Sequence, residues 1–214
     1  LPDDLPVVVI DRRLPGLRSD VVMSDNVGGG RTAVQHLLSL GHRRIACVTS
    51  PDRPSSIVDR ITGYEQAMQE AGLFPLAAVP LAGSGRPATG QNASVPTYSP
   101  EEMGPVDQLL SQENPPTALF CINDFVALGV LHHLRSQGIA VPDQIALVGF
   151  DDIAMSGYPS IELTTVAQAK DTIGATAASR LVQRLTGDTS PAEDVMIETS
   201  LVVRRTCGAL GESS

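Results

Sequence analysis

Two polar pairs stand where short apolar runs stop. Asn123-Asp124 follows Leu119-Phe120-Cys121-Ile122, and Asp151-Asp152 follows the stretch from Ile145 to Phe150. A carboxylate accepts hydrogen bonds from ligand hydroxyls and ring N–H groups, and a carboxamide both donates and accepts. Arg60 adds a rigid fork of donors suited to paired hydroxyls or a carboxylate. Each residue also has a purely structural reading. Asn123 or Asp124 caps a helix, Asp151-Asp152 makes a turn, and Arg60 is a surface charge or forms a salt bridge to Asp59 or near Glu65.

No catalytic set accompanies them, and no enzyme activity is expected. There is no GxSxG nucleophile elbow. His36, His42, His132 and His133 are scattered, and the adjacent His132 and His133 point to different faces of a helix, whereas a helical metal pair needs a spacing of three or four. No metal site and no cofactor is expected. Gly28-Gly29-Gly30 near a helix start invites a phosphate-loop reading, but the Lys-Ser/Thr ending is missing, and close packing is the preferred reading. GSGRPA from Gly83 resembles a dinucleotide glycine motif only superficially, because Pro87 and the lack of an apolar helix after it count against one. Cys47, Cys121 and Cys207 are widely spaced, with no CxxC pair, and read as free thiols.

The elements that position the polar pairs are legible. From Asn114 to Asp152 the chain reads strand, helix, strand. Leu119 to Ile122 is too short for a helix and suits a strand buried on both faces. The helix that follows carries Phe125, Leu128, Leu131 and Leu134 and stops at Gly138, and Ile145 to Val148 forms the second strand. Two parallel strands joined by a helix bring Asn123 and Asp151 to one rim, where open α/β sheets bind ligands. Further strands are expected at Leu5–Ile10, Ile45–Val48 and Leu76–Leu81, with a short strand or extended link at Val21–Met23, a strand or crossover at Leu163–Val166, and a last strand or strand pair at Val195–Val203. Helices are expected after Ser24-Asp25-Asn26, from about Arg60 to Gly72, after Ser99, and from Asp171 to Gly187. Ser99-Pro100-Glu101-Glu102 has the form of a capping box. Gly83 to Thr97 reads as an irregular loop, and Thr206 to Ser214 as a frayed tail.

Composition limits the partners. With 15 basic against 24 acidic side chains the chain carries −9, which makes it a poor polyanion binder, so DNA affinity would have to come from residues outside it. No apolar run approaches a membrane helix, and the start lacks the pattern of a signal peptide.

The phrases PTALFCINDFVALGVL, GIAVPDQIALVGFDDI and LTTVAQ, together with IDRR, SDNVGGGRTAVQHLLSLGHRRIACV and DRITGYEQAM, closely resemble LacI/GalR (lac repressor-type) transcriptional regulators over most of Leu5 to Arg205. The resemblance implies an α/β, periplasmic-binding-protein-like type I fold with doubly wound parallel sheets. One lobe would be complete (24–167 and 194–207), the first lobe would be partial (1–23 and 168–193), and 208–214 would be a tail. It implies a cytoplasmic homodimer that binds a small effector, most often a carbohydrate, between lobes. DNA would be reached only through a helix-turn-helix domain absent from this chain. The matching ligand contacts are Asp11, Arg60, Asn123 and Asp151, with Ser56 and Gln168 as lesser candidates. The helix from Phe125 and the loop from Ile153 to Pro159 would form part of the dimer surface. The first-lobe part is expected to be loosely held, because its sheet lacks neighbours. A periplasmic sugar-binding protein serving a transporter shares this fold and is the alternative.

Overall fold

A computed structural model describes residues 5–83 and 98–209. In chain order the elements are β1 (Val8–Ile10), β2 (Asp20–Ser24), α1 (Asn26–Ser39), β3 (Ile45–Thr49), α2 (Ser55–Glu70), β4 (Val79–Pro80), α3 (Pro100–Leu110), β5 (Ala118–Cys121), α4 (Asp124–Ser136), β6 (Ala146–Asp151), β7 (Thr164–Gln168), α5 (Lys170–Leu185), β8 (Asp194–Ile197) and β9 (Thr199–Val202). They build two sheets, one ordered β1-β2-β8 and one ordered β4-β3-β5-β6-β7-β9. All pairings are parallel except that of β7 with β9.

The larger sheet is buried as the continuous apolar runs of β3, β5 and β6 require. The helices cover it with stripes spaced for a 3.6-residue period: Ala33, Val34 and Leu37 from α1, Ile57, Ile61, Tyr64 and Met68 from α2, and Val126, Val130 and Leu134 from α4. The Tyr64 hydroxyl ends in the core and accepts from the Leu76 N–H at 2.8 Å while reaching the Ile45 carbonyl at 3.0 Å. On the smaller sheet, Ile173 and Ala177 of α5 pack with Val22, Val8, Val195 and Ile197 on one face. Val9, Val21 and Met23 gather on the other face.

Most expected elements are present, with four differences. Only Val79–Pro80 of the Leu76–Leu81 run pairs as a strand. Arg60 lies in the second turn of α2, because the helix already starts at Ser55 after Pro54. Of the two forms expected for Val195–Val203 the strand pair is the one present, and its members have opposite allegiance: β8 pairs with β2, and β9, after one intervening residue, pairs with β7. The division expected at 193/194 and the start at residue 24 therefore both cut the smaller sheet, which includes Ser24 and Asp194–Ile197. Thr206 is not frayed; it is buried within a 3-10 turn at Arg205–Cys207, and its hydroxyl bonds the Leu147 carbonyl at 2.8 Å. The irregular loop expected up to Thr97 lies outside the described residues from 84 onward. The capping box is formed, with Ser99 and Glu102 bonding each other's backbone N–H.

The glycines of α1 serve packing. A Cβ on Gly30 would collide with the Arg60 carbonyl of α2, and one on Gly63 would collide with the Val27 carbonyl of α1. The two helix backbones meet at these residues, and that closeness fixes where Arg60 stands.

Candidate functional site

Arg60 is the centre of the site. Its side chain is almost wholly buried and emerges from α2 beneath the carboxyl ends of β5 and β6. Nε donates to Asn26 Oδ1 at 2.8 Å, and Nη1 donates to the Ile122 carbonyl at 2.7 Å. The guanidinium lies over the Phe150 ring, 3.8 Å from its centroid, in cation–π geometry. Nη1 also stands 3.1 Å from Asp151 Oδ1. The charge is thus held by an amide, a carbonyl, an aromatic face and one carboxylate.

Asp151 is the member of this cluster that reaches solvent, with a fifth of its side chain exposed. Gln168 Nε2 donates to Asp151 Oδ1 at 2.6 Å, and Ser24 Oγ donates to Gln168 Oε1 at 2.7 Å. Burial pushes the Asp151 carboxyl up to about 6, against the opposing pull of Arg60. Burial likewise lowers Arg60 from its ordinary value, opposed by Asp151. Asp151 and Asp152 have φ of 114° and 45°, and Asp11 at the end of β1 has φ of 75°. Left-handed backbone at non-glycine residues costs about 1–3 kcal/mol and gathers at ligand sites.

The structure brings Arg60, Asp151 and Gln168 into one bonded cluster. Asp11 stands near enough for its charge to favour protonated Arg60, but its carboxylate pairs with Arg12 at 3.2 Å. Ser56 is buried one turn before Arg60 on α2. Asn123 caps α4, its Oδ1 accepting from the Val126 N–H at 2.8 Å, so the structural reading describes its side-chain bond here.

Sequence reasoning missed Asn26, Phe150 and Ser24, whose partners are remote in the chain. It also missed the role of Asp124. That carboxylate is fully buried at the first turn of α4 and accepts from Thr165 Oγ1 at 2.5 Å, Ser156 Oγ at 2.6 Å and the Ile153 N–H at 3.0 Å. It therefore ties the chain leaving Asp151-Asp152 to α4 and β7. Burial raises its carboxyl above the usual range.

The thiols and two of the histidines make structural contacts. Cys47, Cys121 and Cys207 are buried free thiols. His133 is buried and meets Asp107 of α3 at 2.6 Å, and His36 meets the Cys207 Sγ at 3.3 Å. Among the described residues no group of three or more His, Cys, Asp or Glu side chains is arranged to hold a metal, and no helix is long and apolar enough to cross a membrane.

Residues 34–207 match the model of the periplasmic binding protein-like domain. The HTH-type transcriptional repressor PurR of Histophilus somni is 31% identical over 97% of this chain and 59% of its own length. The chain thus spans less than two thirds of that relative. A LacI transcriptional regulator from a Rhodococcus species is 32% identical, with a TM-score of 0.78 over 94% of this chain and 69% of that one. A LacI family regulator from Enterococcus faecium, solved with bound ribose, is 27% identical, with a TM-score of 0.76 over 94% of this chain and 70% of that one. These likenesses favour a regulator over a transport protein. The larger sheet and the Arg60–Asp151 rim lie within residues 34–207, and the chain belongs to the LacI family of transcriptional regulators, in their periplasmic-binding-protein-like effector region.

Proposed function

We propose that this chain binds a small polyhydroxylated effector, a sugar or related metabolite, between its two sheets, and that occupancy governs DNA binding by a helix-turn-helix domain outside the chain. One observation carries the reading: a continuous bonded path of Ser24, Gln168, Asp151 and Arg60 runs from the end of β2 in the smaller sheet to α2 on the larger. A ligand hydroxyl bonded to Asp151 would compete with Gln168 for the same carboxylate. Binding would then change the bond that couples the sheets, which is a differential interaction of the kind allostery needs. Asp151 would accept ligand hydroxyls and Arg60 would hold that carboxylate ionised. Asp11, Ser56 and Asn123 would line the remainder of the ligand's path. A cytoplasmic homodimer, with α4 and the Ala154–Gly157 turn at the interface, completes the proposal. Partly exposed Leu128, Met155 and Tyr158 on these elements fit a contact surface.

Calorimetric titration against a panel of sugars and nucleosides tests the site. Asp151→Ala and Arg60→Ala are each expected to weaken binding at least about 30-fold, as loss of a charged hydrogen-bonding group does. Unchanged affinity in both variants, with native circular dichroism, would remove the Arg60–Asp151 rim from the ligand site.

A further inference from the structure

A cavity of about 750 Å³ contains none of the six residues assigned above to the ligand site. It opens between the β1–β2 link and the start of α2, and Arg13, Arg18 and Arg53 line it together with Ser19, Ser55 and Asp194. Three guanidinium groups around one opening run against a chain charge of −9. Only Arg13 is neutralised: it pairs with Asp194 at 2.9 Å and Asp59 at 3.5 Å, and its backbone N–H donates to Ser55 Oγ at 2.8 Å. Among the described residues Arg18 and Arg53 enter no ion pair. The Ser19 hydroxyl is buried without a hydrogen-bond partner among these residues. The N-cap of α2, Pro54, supplies no side-chain bond to its first turn.

We propose that this opening is a second ligand site, selective for a phosphorylated small metabolite. Arg18 and Arg53 clamp the phosphate from opposite sides, since guanidinium forks match phosphate oxygens in paired hydrogen bonds. The Ser19 hydroxyl and the uncapped first turn of α2 supply further donors. The cavity exceeds a bare phosphate and falls within the range of metabolite pockets. Leu14, Leu17 and Val21 give its wall an apolar stretch for the organic body. Arg18 belongs to the link between two strands of the smaller sheet and Arg53 to the larger-sheet side, so a bound anion draws the two together. The proposal goes beyond the Asp151 site and does not depend on it.

The test is calorimetric titration of the 214-residue chain with inorganic phosphate, ribose 5-phosphate and ribose, at fixed ionic strength. Ribose 5-phosphate is expected to bind at least about tenfold more tightly than ribose, with phosphate competing. Arg18→Ala and Arg53→Ala should each weaken it about tenfold and the pair about a hundredfold. Asp151→Asn should leave phosphate binding intact even where it abolishes sugar binding. Near-ultraviolet circular dichroism establishes that each variant is folded. Absence of saturable phosphate or ribose 5-phosphate binding overturns the proposal, as does equal affinity in wild type and the double variant. So does an equal loss in Arg43→Ala, whose guanidinium bonds the Leu38 carbonyl and lies outside the cavity, because that would mean diffuse charge attraction.

Discussion

Replacing Asp124 with Ala should be among the most damaging single changes in the chain. The carboxylate has no solvent exposure and accepts from two hydroxyls and one backbone N–H, at 2.5, 2.6 and 3.0 Å. Alanine leaves the buried hydroxyls of Thr165 and Ser156 and the part-buried Ile153 N–H with no acceptor. Each stranded donor costs roughly 1–3 kcal/mol, and removal of the buried charge itself returns part of its desolvation penalty. The expected net loss is about 3–5 kcal/mol, a large share of the ~5–15 kcal/mol that keeps a domain folded. Asp124→Asn keeps the shape and one acceptor and removes the charge that burial disfavours, so about 1–2 kcal/mol is expected. Urea unfolding followed by circular dichroism measures both as a fall in midpoint at constant slope. Because Asp124 holds the chain just beyond Asp151-Asp152, effector affinity should fall in the folded Asn variant as well. A loss below about 1 kcal/mol for Ala would refute the reasoning, since two buried hydroxyls and a part-buried N–H left without an acceptor cannot cost so little.

Three further outcomes follow from the same geometry. Effector affinity should rise with pH through about 6, because the Asp151 carboxyl titrates there and only its ionised form both accepts ligand hydroxyls and pairs with Arg60. Calorimetry from pH 5 to 8 checks this, and a flat profile would mean that Asp151 does not touch the ligand. At the start of β2, paired bonds from Arg184 at 2.7 and 2.9 Å hold the buried Asp20 carboxyl at about 2, below its ordinary 3.8. A depressed carboxyl stabilises above its unfolded value, so this contribution, about 2 kcal/mol, should be present at neutral pH and fade as pH falls from about 4 to 2. Acid unfolding of Asp20→Asn against wild type measures it. Gly30→Ala should cost more than about 2 kcal/mol and move Arg60, because the added methyl meets the Arg60 backbone carbonyl rather than a side chain that can turn away. A thermal melt and a sugar titration of that variant read the two effects.

The parts of this molecule legible in the sequence are those set by local pattern. Continuous apolar runs gave β3, β5 and β6 their burial on both faces, and the stops after Ile122 and Phe150 placed Asn123 and Asp151 at one rim. The Ser99 capping box is likewise complete within four residues. What the pattern hides is pairing at a distance. Arg60 was visible as a donor, but its dependence on Asn26 and Phe150 spans 34 and 90 positions and has no periodic signature. A strand pair at Val195–Val203 was legible as one of two readings, but its split between the two sheets was hidden for a related reason. Both strands are short and similar in composition, and their allegiance is decided by which edge is free, β2 for one and β7 for the other. A single residue, Glu198, separates them, so neither strand can shift without pulling on the other sheet. Ser24–Asn26, Gln168–Lys170 and Ile197–Thr199 form three such crossings, all short. Short, parallel connections allow one sheet to rotate against the other about a common line but resist sliding. The Ser24–Gln168–Asp151 path joins two of these crossings to the ligand rim. On the proposed reading, a ligand that displaced Gln168 from Asp151 would act beside these crossings, where a small change in local geometry would have the most leverage on the angle between the sheets.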